Sequence, residues 1–272
     1  MSKVVVGLER RFRDTAMGRF FELLGDYWRM IIDGYKVLLT DPPTWSSVVQ
    51  EIYMLGVKSF VIVAVAAMAV GLVMSLQFGF GLARFGAKLY VPKIVAVSIF
   101  RELGPIFTAL MLAGRVGAGI ASEVGSMNVT QQIDAIRALG TNPIKKIVLP
   151  KIIACVISAP LLTIMANFLG VFGGMMMSST QLNVSAYDYF FKSFEIITAR
   201  DLMGGLFKSV IFGFIIGSVG CYIGLNTHGG TQGVGNSTTK SVVWASVGVV
   251  FADFILTKAI WIFELAFRAG GA

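Results

Sequence analysis

Residues 59–83 contain no charged side chain and only a few polar ones. A helix that spans the roughly 30 Å hydrocarbon core of a bilayer needs about 20 consecutive apolar residues. A buried helix of a soluble domain needs no uncharged run of this length. The segment therefore predicts a membrane-spanning helix, and it requires a fold that is built in a bilayer.

Four further apolar segments follow and are also long enough to cross a bilayer. Arg101-Glu102 and Gly104-Pro105 interrupt the first of these four, and the proline should free a backbone carbonyl and bend the helix. Only 14% of the residues are charged, against about 25% in a typical soluble domain. The sequence predicts an all-α polytopic membrane protein with an N-terminal interfacial helix and five transmembrane helices. The predicted spans are residues 59–83, 94–119, 147–178, 202–225 and 241–267.

Residues 1–55 form a separate amphipathic segment ahead of the predicted membrane domain, residues 56–272. Its apolar side chains recur at helical spacing and alternate with arginines. The apolar stripe comprises Leu24, Tyr27, Trp28 and Ile31. A basic helix with an aromatic face is typical of segments that lie in the membrane interface, although a helix packed on a partner protein has the same pattern. Asp41-Pro42-Pro43 should end this helix.

The distribution of lysine and arginine predicts the orientation in the membrane, because basic residues collect on the cytoplasmic side. Those ahead of the first span are Lys3, Arg10, Arg11, Arg13, Arg19, Arg29 and Lys36. The N-terminus and residues 121–146 are therefore predicted inside and the C-terminus outside. Three basic residues in the outside loop 84–93 conflict mildly with this prediction. Membrane topology also explains the net charge of +8, so we infer no nucleic-acid partner.

The polar segment 122–140, between the second and third predicted spans, contains a short helix. Thr130 is placed to cap its start, and Gly140 with Pro143 should end it. Its apolar side comprises Ile133, Ile136 and Leu139. Such a helix can dock into a groove on a soluble partner, or it is an inert connection.

Charged residues within the predicted spans are the strongest candidates for function. Burying one costs about 2.5–3.5 kcal/mol on insertion scales, so each needs a partner or a water-filled cavity. Arg101 and Glu102 either form ion pairs that fix helix packing or line a polar cavity. Lys208 is expected to snorkel toward the membrane surface. Asp253 and Lys258 favour pairing between helices.

The fourth span carries two pairs of glycines four residues apart, Gly213 with Gly217 and Gly220 with Gly224. Small residues at this spacing let two helix backbones approach closely in a membrane. The chain has 31 glycines, so the spacing also arises by chance. It predicts a close helix contact without identifying the partner helix.

Several kinds of chemistry are missing from the sequence. There is no GxxxxGK[ST] motif to hold a nucleotide, so ATP hydrolysis would need another chain. The one histidine, His228, lies in a glycine-rich loop, and Cys155 and Cys221 lie inside apolar runs. We therefore expect no catalytic residue, no metal and no cofactor.

A series of short motifs, in order along the chain, resembles the MlaE (YrbE-like) permeases of ABC-type lipid transporters that work with MCE proteins. Each motif alone is weak, but the ordered set is specific and the resemblance extends from about Asp41 to Phe263. The motifs are Arg101-Glu102-Leu103-Gly104-Pro105, Ala113-Gly114-Arg115-Val116-Gly117, Glu123-Val124-Gly125-Ser126-Met127, Thr130-Gln131-Gln132-Ile133-Asp134, and Pro150 followed by Ile157-Ser158-Ala159-Pro160-Leu161-Leu162.

The resemblance implies a homodimer in the bacterial inner membrane that moves glycerophospholipid between the inner and outer membranes. It implies three partners: an MlaF-like ATPase, an MlaB-like STAS-domain protein bound to that ATPase, and an MlaD-like periplasmic hexamer of MCE domains. The C-terminus would then be periplasmic. A stand-alone ion-coupled carrier that uses the buried charges is the alternative function, and a lipid-modifying enzyme is weaker because no nucleophile–base pair is present.

The resemblance also implies roles for particular residues. A lipid-binding cavity between the two copies would be lined by Met74, Leu82 and Phe85, with Arg101 and Glu102 as nearby polar positions. The segment around the short helix would couple to the ATPase. Its candidate residues are Glu123, Met127, Gln131 and Asp134.

Overall fold

The computed structural model describes residues 16–270, and the regular structure within that range is entirely helical. Five helical segments are long and apolar enough to cross a membrane, which confirms the predicted fold class. We number the helices α1 (Ala16–Thr40), α2 (Trp45–Ala83), α3 (Lys88–Val129), α4 (Gln132–Ala138), α5 (Ile144–Gln181), α6 (Ala186–Ile196), α7 (Ala199–Leu225) and α8 (Gly230–Gly270).

Successive spans run in opposite directions, so the bundle has two ends. At the α4 end, α4 joins α3 to α5, and residues 226–229 join α7 to α8. At the α6 end, residues 84–87 join α2 to α3, and α6 joins α5 to α7.

The spans are longer than the sequence predicts. Helix α2 starts at Trp45 rather than near Ser59, α3 continues to Val129, and α8 begins at Gly230 inside the predicted loop 226–240. Hydropathy marks only the part of a helix that lies in hydrocarbon, whereas backbone hydrogen bonding continues into the polar flanks. The predicted basic residues Lys3, Arg10, Arg11 and Arg13 lie outside the described residues.

Helices α2 and α5 pack at very short range because glycines face each other between them. A β-carbon at Gly71 would lie 1.8 Å from the Gly170 carbonyl oxygen, and one at Gly173 would lie 2.4 Å from the Met68 carbonyl oxygen. Neither position has room for a side chain, so backbone lies directly on backbone. This is the most extensive contact between two spans.

The glycine pairs of α7 contact two different helices. A β-carbon at Gly213 would lie 2.5 Å from the Cys155 carbonyl oxygen of α5, whereas one at Gly224 would lie 2.7 Å from the Val124 side chain of α3. The predicted close helix contact is therefore confirmed. Because the two pairs point in different directions, α7 is wedged between α5 and α3.

Helix α3 remains continuous through the residues that were expected to interrupt it. Its backbone widens into π-helical turns at Ile99–Leu103 and Ala113–Gly117. Such turns are frequent at functional sites. The first of them contains Arg101 and Glu102 and ends directly before Gly104-Pro105.

Helix α1 is held against the α4 end of the bundle by tyrosines. Tyr27 shares a 2.7 Å hydrogen bond with Ser218 of α7, and the Tyr222 hydroxyl donates to the Leu23 carbonyl at 3.1 Å. Burial raises the pKa of the Tyr27 phenol, and the hydrogen bond to Ser218 opposes this rise. These contacts fix α1 to one span of the bundle.

The predicted apolar stripe of α1 divides between two environments. Tyr27 and Ile31 pack against the main hydrophobic core, whereas Leu24 and Trp28 are exposed. The exposed apolar face continues along the helix through Ile32, Tyr35 and Leu39. One side of α1 is thus buried on this chain's own spans, and a neighbouring apolar side remains uncovered.

The short helix α4 differs in detail from its prediction. The residue that precedes it is Gln131, with a φ of 59°, and the Thr130 hydroxyl donates backward to the Ser126 carbonyl at 2.9 Å. Thr130 is therefore not the cap. Ile133 is buried and Ile136 packs against the core, but Leu139 is exposed, so the predicted apolar side is only partly used. Gly140, with a φ of 73°, ends this segment as predicted.

Candidate functional site

The α6 end carries a cluster of charged residues from three spans. Arg101 Nε donates to Asp201 Oδ1 at 2.5 Å, and the side chain of Asp201 is only 3% exposed while that of Arg101 is 48% exposed. Asp201 Oδ2 also accepts the Thr198 N–H at 2.9 Å and completes a capping box at the start of α7. The same carboxylate therefore begins α7 and holds Arg101.

Lys208 of α7 lies within the cluster and is surrounded by oxygen atoms. Its Nζ lies 2.5 Å from Glu102 Oε2, 2.6 Å from Thr257 Oγ1 and 3.2 Å from Asp253 Oδ1. Its side chain is only 2% exposed. The prediction that Lys208 snorkels is wrong, because two carboxylates and a hydroxyl satisfy the ammonium at depth.

The predicted pairing of Asp253 between helices is confirmed, with Lys208 of α7 as the partner. Lys258, five residues further along α8, is exposed instead. Helical neighbours lie three or four residues apart, so a spacing of five places Lys258 on a different side of α8 from Asp253. Of this pair, only Asp253 belongs to the cluster.

Lys208 also bonds to the backbone of α3. Pro105 has no N–H, so it donates no hydrogen bond to the preceding turn, which here is π-helical. Lys208 Nζ donates to the Arg101 carbonyl in this turn at 3.4 Å. A side chain of another span therefore supplies a donor to the turn in which the proline supplies none. Gly205 permits the approach, because a β-carbon there would lie 2.3 Å from the Phe100 carbonyl oxygen.

The cluster lines an open cleft between α3, α7 and α8. Its charged lining comprises Arg101, Glu102, Arg200, Asp201 and Lys208, and Ile260 and Trp261 form an apolar wall. Asp253, 3.2 Å from Lys208, brings the cluster to three cations and three carboxylates, so the cluster as a whole carries no net charge. Arginine has five N–H donors, and the ion pair of Arg101 engages Nε alone. The cleft can therefore accept an anionic group that carries an apolar chain.

The other predicted cavity residues lie apart from this cleft. Met74 and Leu82 pack against a second hydrophobic cluster that includes Ile99 and Phe100 of α3. Phe85 follows α2 and is exposed. Within the part of the chain that the structure describes, these three residues do not line the same opening as Arg101 and Glu102. They share the α6 end of the bundle with it.

A second buried lysine ties three spans together at the α4 end. Lys151 Nζ of α5 lies 2.7 Å from Glu51 Oε1 of α2 and 2.8 Å from Glu123 Oε2 of α3. Lys151 is 2% exposed, whereas the side chain of Glu123 is 56% exposed. Glu123 therefore joins the interior of the bundle to the surface at the α4 end.

The remaining predicted coupling residues lie beyond Glu123 toward α4. Met127 packs against the main hydrophobic core. Gln131 is exposed and adopts the left-handed conformation between α3 and α4. Asp134 lies on α4 and forms an exposed ion pair of 3.2 Å with Arg137. These side chains follow one another along the chain but do not converge on a single cleft.

Sequence reasoning missed four residues of these clusters: Glu51, Lys151, Asp201 and Thr257. Lys151 did carry a signal, because it is a lone charge that follows Pro150 inside the third predicted span. Asp201 lies directly before the fourth predicted span, residues 202–225, and so outside the spans that were searched for charged residues. Among the described residues, no group of histidine, cysteine, aspartate and glutamate side chains is arranged to hold a metal ion.

A family model described as Permease MlaE matches residues 48–259, a range that contains both lysine clusters. The chain belongs to the MlaE permease family. A member from Rickettsia bellii, named probable ABC transporter permease protein, is 34% identical over 240 residues, which are 88% of this chain and 93% of that protein.

Other relatives of this MlaE-family chain come from photosynthetic organisms. A probable ABC transporter permease protein of Synechocystis is 38% identical over 209 residues, 76% of this chain and 79% of that one. The chloroplastic protein TRIGALACTOSYLDIACYLGLYCEROL 1 of Arabidopsis thaliana is 33% identical over 230 residues, 84% of this chain and 66% of that one. The chain is thus a multi-pass membrane protein of an ABC permease family, whose members are transmembrane rather than catalytic subunits.

Proposed function

We propose that this chain is the permease subunit of an ABC-type intermembrane phospholipid transporter, the Mla system, which maintains the lipid asymmetry of the outer membrane. Two copies form a homodimer, glycerophospholipid moves through a cavity between them, and a separate ATPase supplies the energy. The observation that carries the proposal is the charged cleft beside Arg101, which opens among membrane-spanning helices with an apolar wall next to it.

The composition of the cleft supports a lipid substrate. A phosphate head group needs cationic donors, and Arg101 and Arg200 supply them. Acyl chains need apolar surface, and Trp261 and Ile260 supply it within the cleft. Met74, Leu82 and Phe85 at the same end would extend this surface in the homodimer. The name of the Arabidopsis relative, which contains that of a diacylglycerol lipid, agrees with a lipid substrate.

The residues at the α4 end of the bundle support coupling to the ATPase. Glu123 is exposed there and is bonded to the buried Lys151, which in turn contacts Glu51. A force on α4 and on the adjacent end of α3 would reach α5 and α2 through this ammonium. Helix α3 also supplies Glu102 to the Lys208 cluster, so it is common to both clusters. In this proposal ATP binding to the partner biases an equilibrium between two packings of these spans.

The partners and the orientation follow from the same proposal. The α4 end faces the cytoplasm and contacts an MlaF-like ATPase, to which an MlaB-like STAS protein binds. The α6 end faces the periplasm of the bacterial inner membrane beneath an MlaD-like MCE hexamer. Helix α1 lies in the cytoplasmic interface, where its exposed apolar face meets lipid.

The experiment that tests this function begins with the tagged full-length chain purified from its own cell membranes. We expect an ATPase to co-purify. The reconstituted complex should then move a fluorescent glycerophospholipid between vesicles with ATP but not with a non-hydrolysable analogue. Lipid transfer that is the same with either nucleotide would contradict the proposal.

Single substitutions test the cleft itself. Arg101→Glu and Leu82→Asp should each lower lipid transfer and raise detergent sensitivity without preventing membrane insertion. Arg84→Glu, which reverses an exposed charge at the same end, should have little effect. Asp201→Asn removes the partner of Arg101 but leaves its charge. An equal loss of transfer in Asp201→Asn and Arg101→Glu would indicate that the ion pair, rather than head-group binding, is what transfer requires.

The buried charged cluster around Lys208 favours a second candidate function, that of a stand-alone ion-coupled carrier. Ionisable residues at membrane depth are typical of proton and ion relays, and Lys208, Glu102 and Asp253 form such a group. A carrier would purify alone and move its substrate in liposomes under an ion gradient without ATP. A requirement for the ATPase would exclude this function.

A further inference from the structure

Helix α6 has three distinct faces around its axis. Successive residues of an α-helix are about 100° apart, so side chains three or four apart share a face. Tyr189 and Ser193 form a fully buried face. A charged face comprises Asp188, Lys192 and Glu195, and an aromatic face comprises Tyr187, Phe190, Phe191 and Phe194. A helix on a protein surface in water needs only a buried face and a polar face. The exposed aromatic face therefore requires an explanation.

The buried face attaches α6 firmly to the bundle. Tyr189 packs with Val91 and Val95 of α3, and Ser193 Oγ donates to the Pro92 carbonyl at 3.4 Å. The charged face is fixed as well, because Glu195 forms a 3.0 Å ion pair with Lys93. The orientation of α6 is therefore set, and its aromatic face points away from the bundle with Tyr187, Phe190 and Phe191 all more than half exposed.

The aromatic face is continuous with the outer surface of a membrane span. Phe190 lies 4.7 Å from Phe194, and Phe194 stacks on Phe168 of α5 at 5.9 Å between ring centroids. Phe168 and Phe172 are themselves about half exposed on the flank of α5. An apolar surface thus runs without a break from the span onto α6.

The depth of this contact can be judged from the length of α5. Its 38 residues exceed what a bilayer needs, so part of the helix projects beyond the hydrocarbon. Residues 152–181 contain no charged side chain, so Phe168 and Phe172 lie on the lipid-facing flank of the membrane-spanning part of α5. The charged face of α6 needs water, so the ring stack on Phe168 places Phe194 and Phe190 where the hydrocarbon meets the head-group layer. Aromatic side chains are enriched at that depth.

We infer that α6 is an interfacial helix whose aromatic face is embedded in the head-group layer of the leaflet at the α6 end. The occupant of that face is lipid, the charged face meets water, and the buried face holds the bundle. Two residues after α6, Thr198 begins the capping box in which Asp201 binds Arg101. The anchor would therefore fix the charged cleft at the depth of the lipid head groups.

Spin labels on single cysteines test this inference in the full-length chain. The protein is reconstituted in vesicles of phosphatidylethanolamine and phosphatidylglycerol, with labels at Phe190→Cys and Phe191→Cys. Matched labels on the opposite face are Asp188→Cys and Lys192→Cys. The native Cys155 and Cys221 are buried, so the unsubstituted chain measures background labelling.

We expect collisions with dissolved oxygen, relative to those with a water-soluble nickel chelate, to be several-fold more frequent at positions 190 and 191 than at 188 and 192. Nickel accessibility that is equal on both faces would place α6 in water and overturn the inference. Shielding of 190 and 191 from both reagents would also overturn it, because a protein surface would then cover the aromatic face. Two positions per face guard against one label that disturbs the local fold.

Discussion

Lys208 Nζ and Glu102 Oε2 lie 2.5 Å apart and join α7 to α3 inside the membrane-spanning part of the bundle. Asp253 adds a second carboxylate from α8, so one ammonium holds three spans. A buried ion pair often contributes little net stability compared with apolar side chains of similar size. Removal of one partner is far more damaging, because it leaves an uncompensated buried charge.

Lys208→Met should therefore destabilise the protein by about 2 kcal/mol, less than the usual loss for a buried pair because Glu102 is partly exposed. Thermal unfolding of the purified chain in detergent measures the effect. Lys258→Met, an exposed lysine on α8, is the matched control and should change stability little. The triple variant Lys208→Met, Glu102→Gln, Asp253→Asn should recover part of the loss, and no difference between Lys208→Met and the wild type would contradict this account.

Asp201 has two roles, and two substitutions separate them. Asp201→Ala removes both the partner of Arg101 and the carboxylate that caps the Thr198 N–H, whereas the Thr198 side chain still caps the N–H of residue 201. Asp201→Asn keeps an oxygen for the Thr198 N–H but loses the charge. We expect the alanine variant to unfold at a lower temperature than the asparagine variant. Equal unfolding temperatures would indicate that the cap contributes nothing.

Sequence alone predicted the five spans because hydropathy reports burial in lipid directly. It did not predict where the helices end. Residues 122–129 are polar enough to read as a loop, yet they continue α3 because nothing interrupts the backbone hydrogen bonding there. Helix α6 was also missed, because it lies between the third and fourth predicted spans and carries three charged residues. Its aromatic residues at positions 187, 190, 191 and 194 were the available signal.

The partners in the ion pairs could not be predicted from the sequence. Arg101 and Glu102 are adjacent in the chain, but their partners, Asp201 and Lys208, lie about one hundred positions away. No local pattern indicates which distant charge shares their depth, so pairing and cavity formation were equally consistent with the sequence. Lys208 was expected at the surface for the same reason. Pro105 was the exception, because the chemistry of proline alone implied that the preceding turn lacks a donor, and Lys208 donates to a carbonyl of that turn.

The contact between α2 and α5 predicts a steric effect that depends on position. Gly71→Ala would place a methyl group against the Gly170 carbonyl and should destabilise the protein by about 1–3 kcal/mol, as overpacking does. Gly81→Ala on the same helix meets nothing within 4 Å and should be neutral or slightly stabilising. Thermal unfolding compares them. Equal stability of the two variants would show that the spans separate at little cost.

Glu123 supplies a prediction about coupling that rests on the proposed function. Glu123→Gln leaves Lys151 paired with Glu51, so the fold should persist while the link from α3 to α5 weakens. ATP-driven lipid transfer should fall by a larger fraction than the unfolding temperature does. Asp134→Asn should lower lipid transfer less, because its exposed pair with Arg137 contributes little.

Glu195→Gln is the matched control, since that half-exposed glutamate is paired with Lys93 at the opposite end. Equal transfer by the Glu123 and Glu195 variants would remove Glu123 from the coupling path, even if transport itself is demonstrated.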